Sequence, residues 1–369
     1  MARCACTAAE AAGITKDPWH TQPHPQPATL VNIDQEPFVG ETPMEAIQNW
    51  ITPNALYYAR NHFETPSVDV NQWTLDVDGL VSKPLSLTYS DILELPQRTL
   101  VVTMECAGNN RTDLDPPVKG NQFDGGAIST AIWIGVSLRD VLERAGVADG
   151  AVEVFFEGVD SGRGAPDQPV VPYQRSLPME AALHPDTVLA YLMNNEELPP
   201  DHGYPIRLVV PGWYGMASVK WLSKITVLDH LFVGFFQTDR YIMENEDGEM
   251  GPLRDMVVKS LISSPRHGQI FGVRPHQITG LAWSGEGAVT KVEISDDFGE
   301  SWRPAQLGGL NHQYAWQQWS ATWQPQSPGH HTLMARATDA SGSIQPMEPN
   351  WNELGYAINR VQSVCVNVE

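Results

Sequence analysis

Val101-Val-Thr-Met-Glu-Cys-Ala-Gly-Asn-Asn-Arg111 is the stretch on which the fold turns. A strand-like apolar run delivers a single cysteine, Cys106, into a tight Ala-Gly-Asn-Asn turn that ends on an arginine. Gly108 and Asn109 are residue types that tolerate left-handed backbone, so the turn is expected to approach a bulky ligand closely. A positive Arg111 beside the thiol favours the thiolate, the form that serves as a soft metal ligand or a nucleophile. A lone cysteine is as commonly a buried structural residue. The motif by itself leaves both readings open.

Working outward, the flanking pattern is mixed α and β. Trp73, Leu75 and Val77 alternate with polar residues up to Gly79, the pattern of a strand. Ser137-Leu-Arg-Asp140 has the form of a capping box opening a short helix that stops at Gly146. Val152 to Phe156 and Ile206 to Val210 read as buried strands, and Ser176 to Leu183, ended by Pro185, reads as helical. Beyond about residue 255 the texture changes to alternating strand-length runs: Ile278 to Trp283, Val289 to Ile294 and His331 to Ala337. Asp296-Asp-Phe-Gly299 supplies a hairpin turn between two of them. The division expected is an extended N-terminal arm over 1–40, an α+β catalytic domain over 41–250, and an immunoglobulin-like β-sandwich over 251–369.

The bulk numbers bound the function. A chain of 369 residues with 42% hydrophobic and 18% charged residues is a folded protein with room for two cores. Its formal net charge of −21 argues against nucleic acid and against an anionic membrane surface as partners. A small anion can still bind, provided a few arginines gather in one pocket. The cysteines Cys4, Cys6, Cys106 and Cys365 are too scattered for a disulfide framework and contain no C-x-x-C pair. The arm's His20 and His24 lack a third ligand at useful spacing. With no export signal apparent, the expected location is cytoplasmic, or periplasmic where a signal has been removed.

Two further clusters combine Arg and His with loop formers: Tyr58-Ala-Arg-Asn-His62 and Asp201-His-Gly-Tyr-Pro-Ile-Arg207. Both have the composition of loops that grip oxyanions. There is no Walker loop, no G-x-G-x-x-G after a strand and no G-x-S-x-G. Taken in order with the Cys106 turn, Pro211-Gly-Trp-Tyr-Gly215, Val219-Lys-Trp-Leu222 and Trp351-Asn, these segments resemble the sulfite oxidase family over nearly everything after residue 50.

The resemblance implies a molybdenum-pterin cofactor domain followed by a dimerisation domain, with no haem expected. It implies Cys106 as the protein ligand of molybdenum. Tyr58, Ala59, Arg60, Asn61 and His62 would touch the pterin; Asp160, His202, Arg207, Ser218, Val219 and Lys220 would hold it and its phosphate. Arg60, Arg111 and Tyr241 would act on the substrate. The activity implied is oxygen-atom transfer at sulfur on sulfite or a related compound, with electrons leaving to an external acceptor, a cytochrome among the candidates, or to oxygen. A reductase of an oxidised sulfur compound is the alternative, and a non-enzymatic sandwich-domain binding protein a second. Three positions depart from the family: Asn110 replaces a basic residue, Phe123 a tryptophan, and Leu354 the arginine that binds substrate. Weak affinity for sulfite is therefore expected, unless Arg360 swings into the place that Leu354 leaves.

Overall fold

The computed structural model describes residues 29–165, 169–244, 248–310 and 312–369. Cys4, Cys6, His20 and His24 lie outside the described residues. β1 (Val31–Gln35) and β2 (Phe38–Glu41) form a hairpin, and β2 pairs with β3 (Ala59–Arg60). The stretch read as the end of an extended arm is thus tied into a small sheet, because Val39 buries against Tyr58 and Phe123.

β4 (Thr74–Gly79) turns Leu75 and Val77 into the core and pairs with β5 (Leu85–Thr88). α1 (Tyr89–Leu93) opens on a reciprocal capping box between Thr88 and Asp91. β6 (Gln97–Glu105) and β7 (Ile128–Ser137) pair along their whole facing length and carry the Cys106 turn at their end. α2 (Leu138–Ala145) follows Ser137 and ends at left-handed Gly146, as expected, but Ser137 caps nothing. It is the last residue of β7 and is buried, so its side chain does not reach the first turn of the helix.

β8 (Glu153–Arg163) and β9 (Val170–Pro178) form a long antiparallel pair, with the register broken between Glu157 and Ser161. The helix expected over Ser176 to Leu183 is therefore cut to α3 (Met179–Ala182). Ser176 and Leu177 are held in β9 opposite Phe155 and Val154, and strand pairing outweighs local propensity there. β10 (Val188–Met193), β11 (Glu196–Glu197), β12 (Arg207–Val209) and β13 (Leu222–Leu228) complete the domain. Two sheets result, β11-β10-β7-β6 with β12 beside β10, and β5-β4-β13-β8-β9 with β4 and β13 parallel.

A hairpin of β14 (Ile242–Glu244) and β15 (Met250–Pro252) leads to the second domain. There β16 (Lys259–Ser264), β17 (Ile270–Phe271), β18 (His276–Trp283), β19 (Val289–Ser295), β20 (Arg303–Pro304), β21 (Gln306–Gly308), β22 (Gln317–Trp323), β23 (Gly329–Asp339) and β24 (Ser363–Val368) follow. They build two sheets, β16-β18-β22-β21 and β17-β24-β23-β19-β20, which bury Ile278, Trp319, Trp323, Ile294, Leu333 and Val366 in one core. The Asp296–Gly299 turn joins β19 to the short β20 rather than to another of the long strands.

The domains interlock. Trp50 and Trp316 donate to each other's carbonyls, at 3.3 and 2.9 Å. Ala357, in the loop between β23 and β24, donates its N–H to the carbonyl of Ala107 in the Cys106 turn at 2.9 Å. The second domain therefore touches the turn that the sequence marked for chemistry.

Candidate active site

Strand pairing delivers Cys106 to the floor of a pocket. Its N–H bonds Ala127 O, and its carbonyl accepts from Asn109 N, so the turn closes immediately after β6. The left-handed residue of the turn is Asn110 (φ 62), not Gly108 or Asn109. Gly108 is required for a different reason: a Cβ there would lie 2.6 Å from the Arg111 guanidinium. A Cβ at Gly120 or Gly355 would crowd the same group, at 2.8 and 2.7 Å. Arg111 donates to Asn121 O at 2.7 Å and to Leu354 O at 3.0 Å, and lies over the Tyr356 ring. Its charge is thus partly satisfied by carbonyls. Burial pushes the Cys106 thiol up, and Arg60 and Arg111 oppose that rise without cancelling it. Arg111 thus favours the thiolate as expected, but burial outweighs it.

Two spaces meet at Cys106. The first is a slot lined by Tyr58, Ala59, Arg60, His62, Asp160, His202, Arg207, Ser218, Lys220 and Tyr241. Its enclosed part is narrow, about 60 Å³. Lys220 lines it, donating to Asn61 Oδ1 and, at 2.9 Å, to Asp201 O. Asp160 enters beside the break in the β8–β9 register, the kind of irregularity that re-aims a side chain. Arg207 Nη1 donates to His202 O and Nη2 to Ser218 O, both at 3.1 Å, so it ties two slot loops together. Ser218 Oγ is committed to Val210 N. Val219 is buried in the core, and Asn61, which lines the second space, donates to Thr65 Oγ1 and Asp201 Oδ1, each at 3.0 Å.

The slot's electrostatics follow from burial. His62 is held well below its usual range by desolvation, with Arg60, Lys220 and Arg175 adding repulsion. His202 falls to about 3 for the same leading reason. Both imidazoles are therefore neutral. Burial also drives the Asp160 carboxyl up and the Lys220 ammonium down. Buried Arg60 Nη1 and Asp160 Oδ1 have no hydrogen-bond partner among the described residues.

The second space is a cavity of about 710 Å³ on the other side of Cys106. It is lined by five cations, Arg60, Arg111, Lys119, Arg163 and Arg240, against two carboxylates, Asp34 and Glu353. A locally positive chamber thus sits inside an acidic protein. Phe123 and Leu354 line it too. Arg360 does not: its guanidinium lies 3.2 Å from the Asp113 carboxylate. Arg60, His62, Cys106 and Tyr241 belong to both spaces.

Some contributors were not visible in the motifs. Tyr173 stacks on His62 at 4.4 Å, and buried Arg175 lies 6.0 Å from the Tyr241 ring. Behind Cys106, Glu105 accepts from Lys259 at 2.8 Å, Trp283 at 2.8 Å and Asn109 at 2.9 Å. Lys259 also donates to Asn110 Oδ1 at 2.6 Å. The one available signal was a Glu facing inward at the end of an apolar strand.

Comparison with known proteins supplies the frame for this geometry. The model of the oxidoreductase molybdopterin binding domain matches residues 62–236, and that of the Mo-co oxidoreductase dimerisation domain matches residues 251–369. Sulfite oxidase of Gallus gallus is 37% identical over 94% of this chain and 80% of its own length. Mitochondrial sulfite oxidase of Homo sapiens is 35% identical over 96% of this chain and 68% of its own. The crystal structure of the sulfane dehydrogenase SoxCD from Paracoccus pantotrophus superposes with a TM-score of 0.77 at 29% identity, covering 98% of this chain and 92% of that one.

Proposed function

The chain belongs to the sulfite oxidase family of molybdenum-cofactor oxidoreductases, and from that premise we propose that it oxidises a small anionic sulfur compound and passes the electrons to an external acceptor. One observation carries the proposal: Cys106 stands where a cofactor slot and a cationic substrate chamber meet.

The slot's residues fit the cofactor. Among the described residues no three His, Cys, Asp or Glu side chains form a metal cage, so a metal here must bring ligands of its own and take one from the protein. Cys106 is the soft donor in place for that role. The unpartnered Arg60 Nη1 and Asp160 Oδ1 are a donor and an acceptor that ring nitrogens and phosphate oxygens would satisfy. Arg60, Asp160, His202 and Lys220 would hold the pterin and its phosphate, flanked by Tyr58, Ala59 and His62. When bound, the cofactor supplies two-electron oxygen-atom transfer at sulfur.

The chain's own residues do the rest. Arg60 faces both spaces and orients the anion, while Arg111, anchored by Leu354 O, neutralises it from the side. Charge-assisted hydrogen bonds of this kind contribute about 1.5–3 kcal/mol each. Tyr241 and neutral His62 share a hydrogen bond of 2.6 Å that keeps the phenol proton beside the chamber. We read the second domain as an immunoglobulin-like sandwich that pairs two chains into a homodimer, a reading supported by the match to the dimerisation domain. A binding protein built on the sandwich alone would leave the Cys106 pocket without a use.

The test combines metal analysis with mutation. Purified wild-type protein is expected to contain about one molybdenum per chain and to reduce ferricyanide in the presence of a sulfur substrate. Cys106→Ser is expected to fold and to lose turnover, because a hard hydroxyl replaces a soft thiolate. Activity within about threefold of wild type in that variant, or no molybdenum in the wild type, would overturn the assignment.

A further inference from the structure

Sulfite has four non-hydrogen atoms and takes up roughly the space of two waters, about 60 Å³. The chamber beside Cys106 holds about 710 Å³, in the range of sites that enclose a drug-sized ligand. Its lining is mixed. Arg60, whose Nη1 is buried and has no partner among the described residues, and Arg111 offer cations near Cys106. Phe235, Phe236, Leu354, Tyr356 and the 47% exposed Trp351 add an apolar wall among the chamber's charged side chains. Arg240 stacks over the Phe235 ring at 5.5 Å and so presents a flat cation within that wall.

We propose that the preferred substrate is an organic sulfinate, R–SO2−, which the enzyme oxidises to the sulfonate R–SO3−; the proposal rests on the oxidase reading above. The head group must be anionic and must offer oxygens in one plane to guanidinium donors. It must also keep a lone pair on sulfur for the new bond, and a thiolate or persulfide sulfur is a poorer acceptor for those donors. The organic group R then lies on the aromatic and aliphatic wall, which sulfite cannot use. In the balanced reaction, R–SO2− and one water give R–SO3−, two protons and two electrons. An S–O bond forms and two O–H bonds of water break. The electrons leave singly to two equivalents of a one-electron acceptor such as ferricyanide.

Steady-state kinetics of the molybdenum-loaded enzyme with ferricyanide test this, using sulfite, methanesulfinate and benzenesulfinate. kcat/KM is expected to rise along that series, with benzenesulfinate at least tenfold above sulfite. Leu354→Arg is expected to shift the sulfinate-to-sulfite ratio at least tenfold towards sulfite. Benzenesulfonate, the unreactive product, is expected to quench Trp351 fluorescence in the wild type, and Trp351→Phe to remove that part of the signal. Sulfite turnover that exceeds every sulfinate overturns the inference and leaves the oxidase reading intact. Loss of turnover with all three compounds overturns both.

Discussion

Tyr241 holds a left-handed backbone (φ 55), a conformation that costs an aromatic residue about 1–3 kcal/mol. Its surroundings enforce it: the ring stacks on Tyr356 at 5.1 Å and the hydroxyl meets His62 Nε2 at 2.6 Å. Burial pushes the phenol above its usual range and His62 well below its own, so neither ionises near neutrality. A stationary phenol proton beside the chamber is the result. Tyr241→Phe is expected to keep its molybdenum and to lose kcat by about ten- to a hundredfold, the loss of one well-placed hydrogen bond. Burial moves the His62 ionisation down from an ordinary value near 6.5 and the Tyr241 ionisation up from one near 10, so that factor is expected to be the same from about pH 7 to pH 9. A kcat ratio that swings with pH in that range, or stays at one, would show that Tyr241 only packs. At this scale the sequence marked Cys106, Arg60 and His62 because their residue types are chemically unusual in their local patterns, whereas Tyr241 was named only through the family resemblance. It did not mark Tyr173 or Arg175, whose types are unremarkable and whose roles arise only when β9 packs behind His62.

Strands were legible wherever one face is buried and the other wet, as in β4, β18, β19 and β23, since alternation is then imposed by solvent. The Ser176–Leu183 stretch was not, because the pairing of β8 with β9 decides its conformation and that partner lies about twenty residues away. The end of β6 shows the same limit with more consequence. Glu105 and Lys259 are each 2% exposed at the side chain and pair at 2.8 Å, joining β6 of one domain to β16 of the other. Trp283 of β18 and Asn109 of the turn complete the carboxylate's hydrogen bonds. Such a pair is costly to halve and cheap to replace: removing one partner leaves a buried charge and costs about 3–5 kcal/mol, whereas removing both is often neutral. Lys259→Met is therefore expected to lower the denaturation midpoint sharply, and Glu105→Gln with Lys259→Met to recover most of the loss. Chemical denaturation of the four proteins in the cycle measures the coupling. Additive effects would mean that the two side chains do not stabilise each other.

For the whole molecule the question is what the second domain does beyond that pairing. It has its own core, so its outward face is free to be used. Two large apolar side chains meet at the β19–β20 turn: Phe298 is 70% exposed and Met347 40%. A Cβ at Gly299 would meet Met347 Cε at 3.0 Å, which places Met347 against the turn that carries Phe298. In an acidic chain of net charge −21, an exposed apolar pair of this kind gains from burial. A two-fold pair buries the same patch twice, so each substitution counts on both sides of the interface. Light scattering at micromolar concentration is expected to give about twice the chain mass of 40.8 kDa. Phe298→Asp is expected to shift the protein towards the monomer, because it sets two carboxylates near the two-fold axis in place of two rings. Its fold should survive, since the side chain already faces solvent. A wild-type monomer would count against the dimer itself. A Phe298→Asp protein that remains a dimer would place the interface on another face of the sandwich.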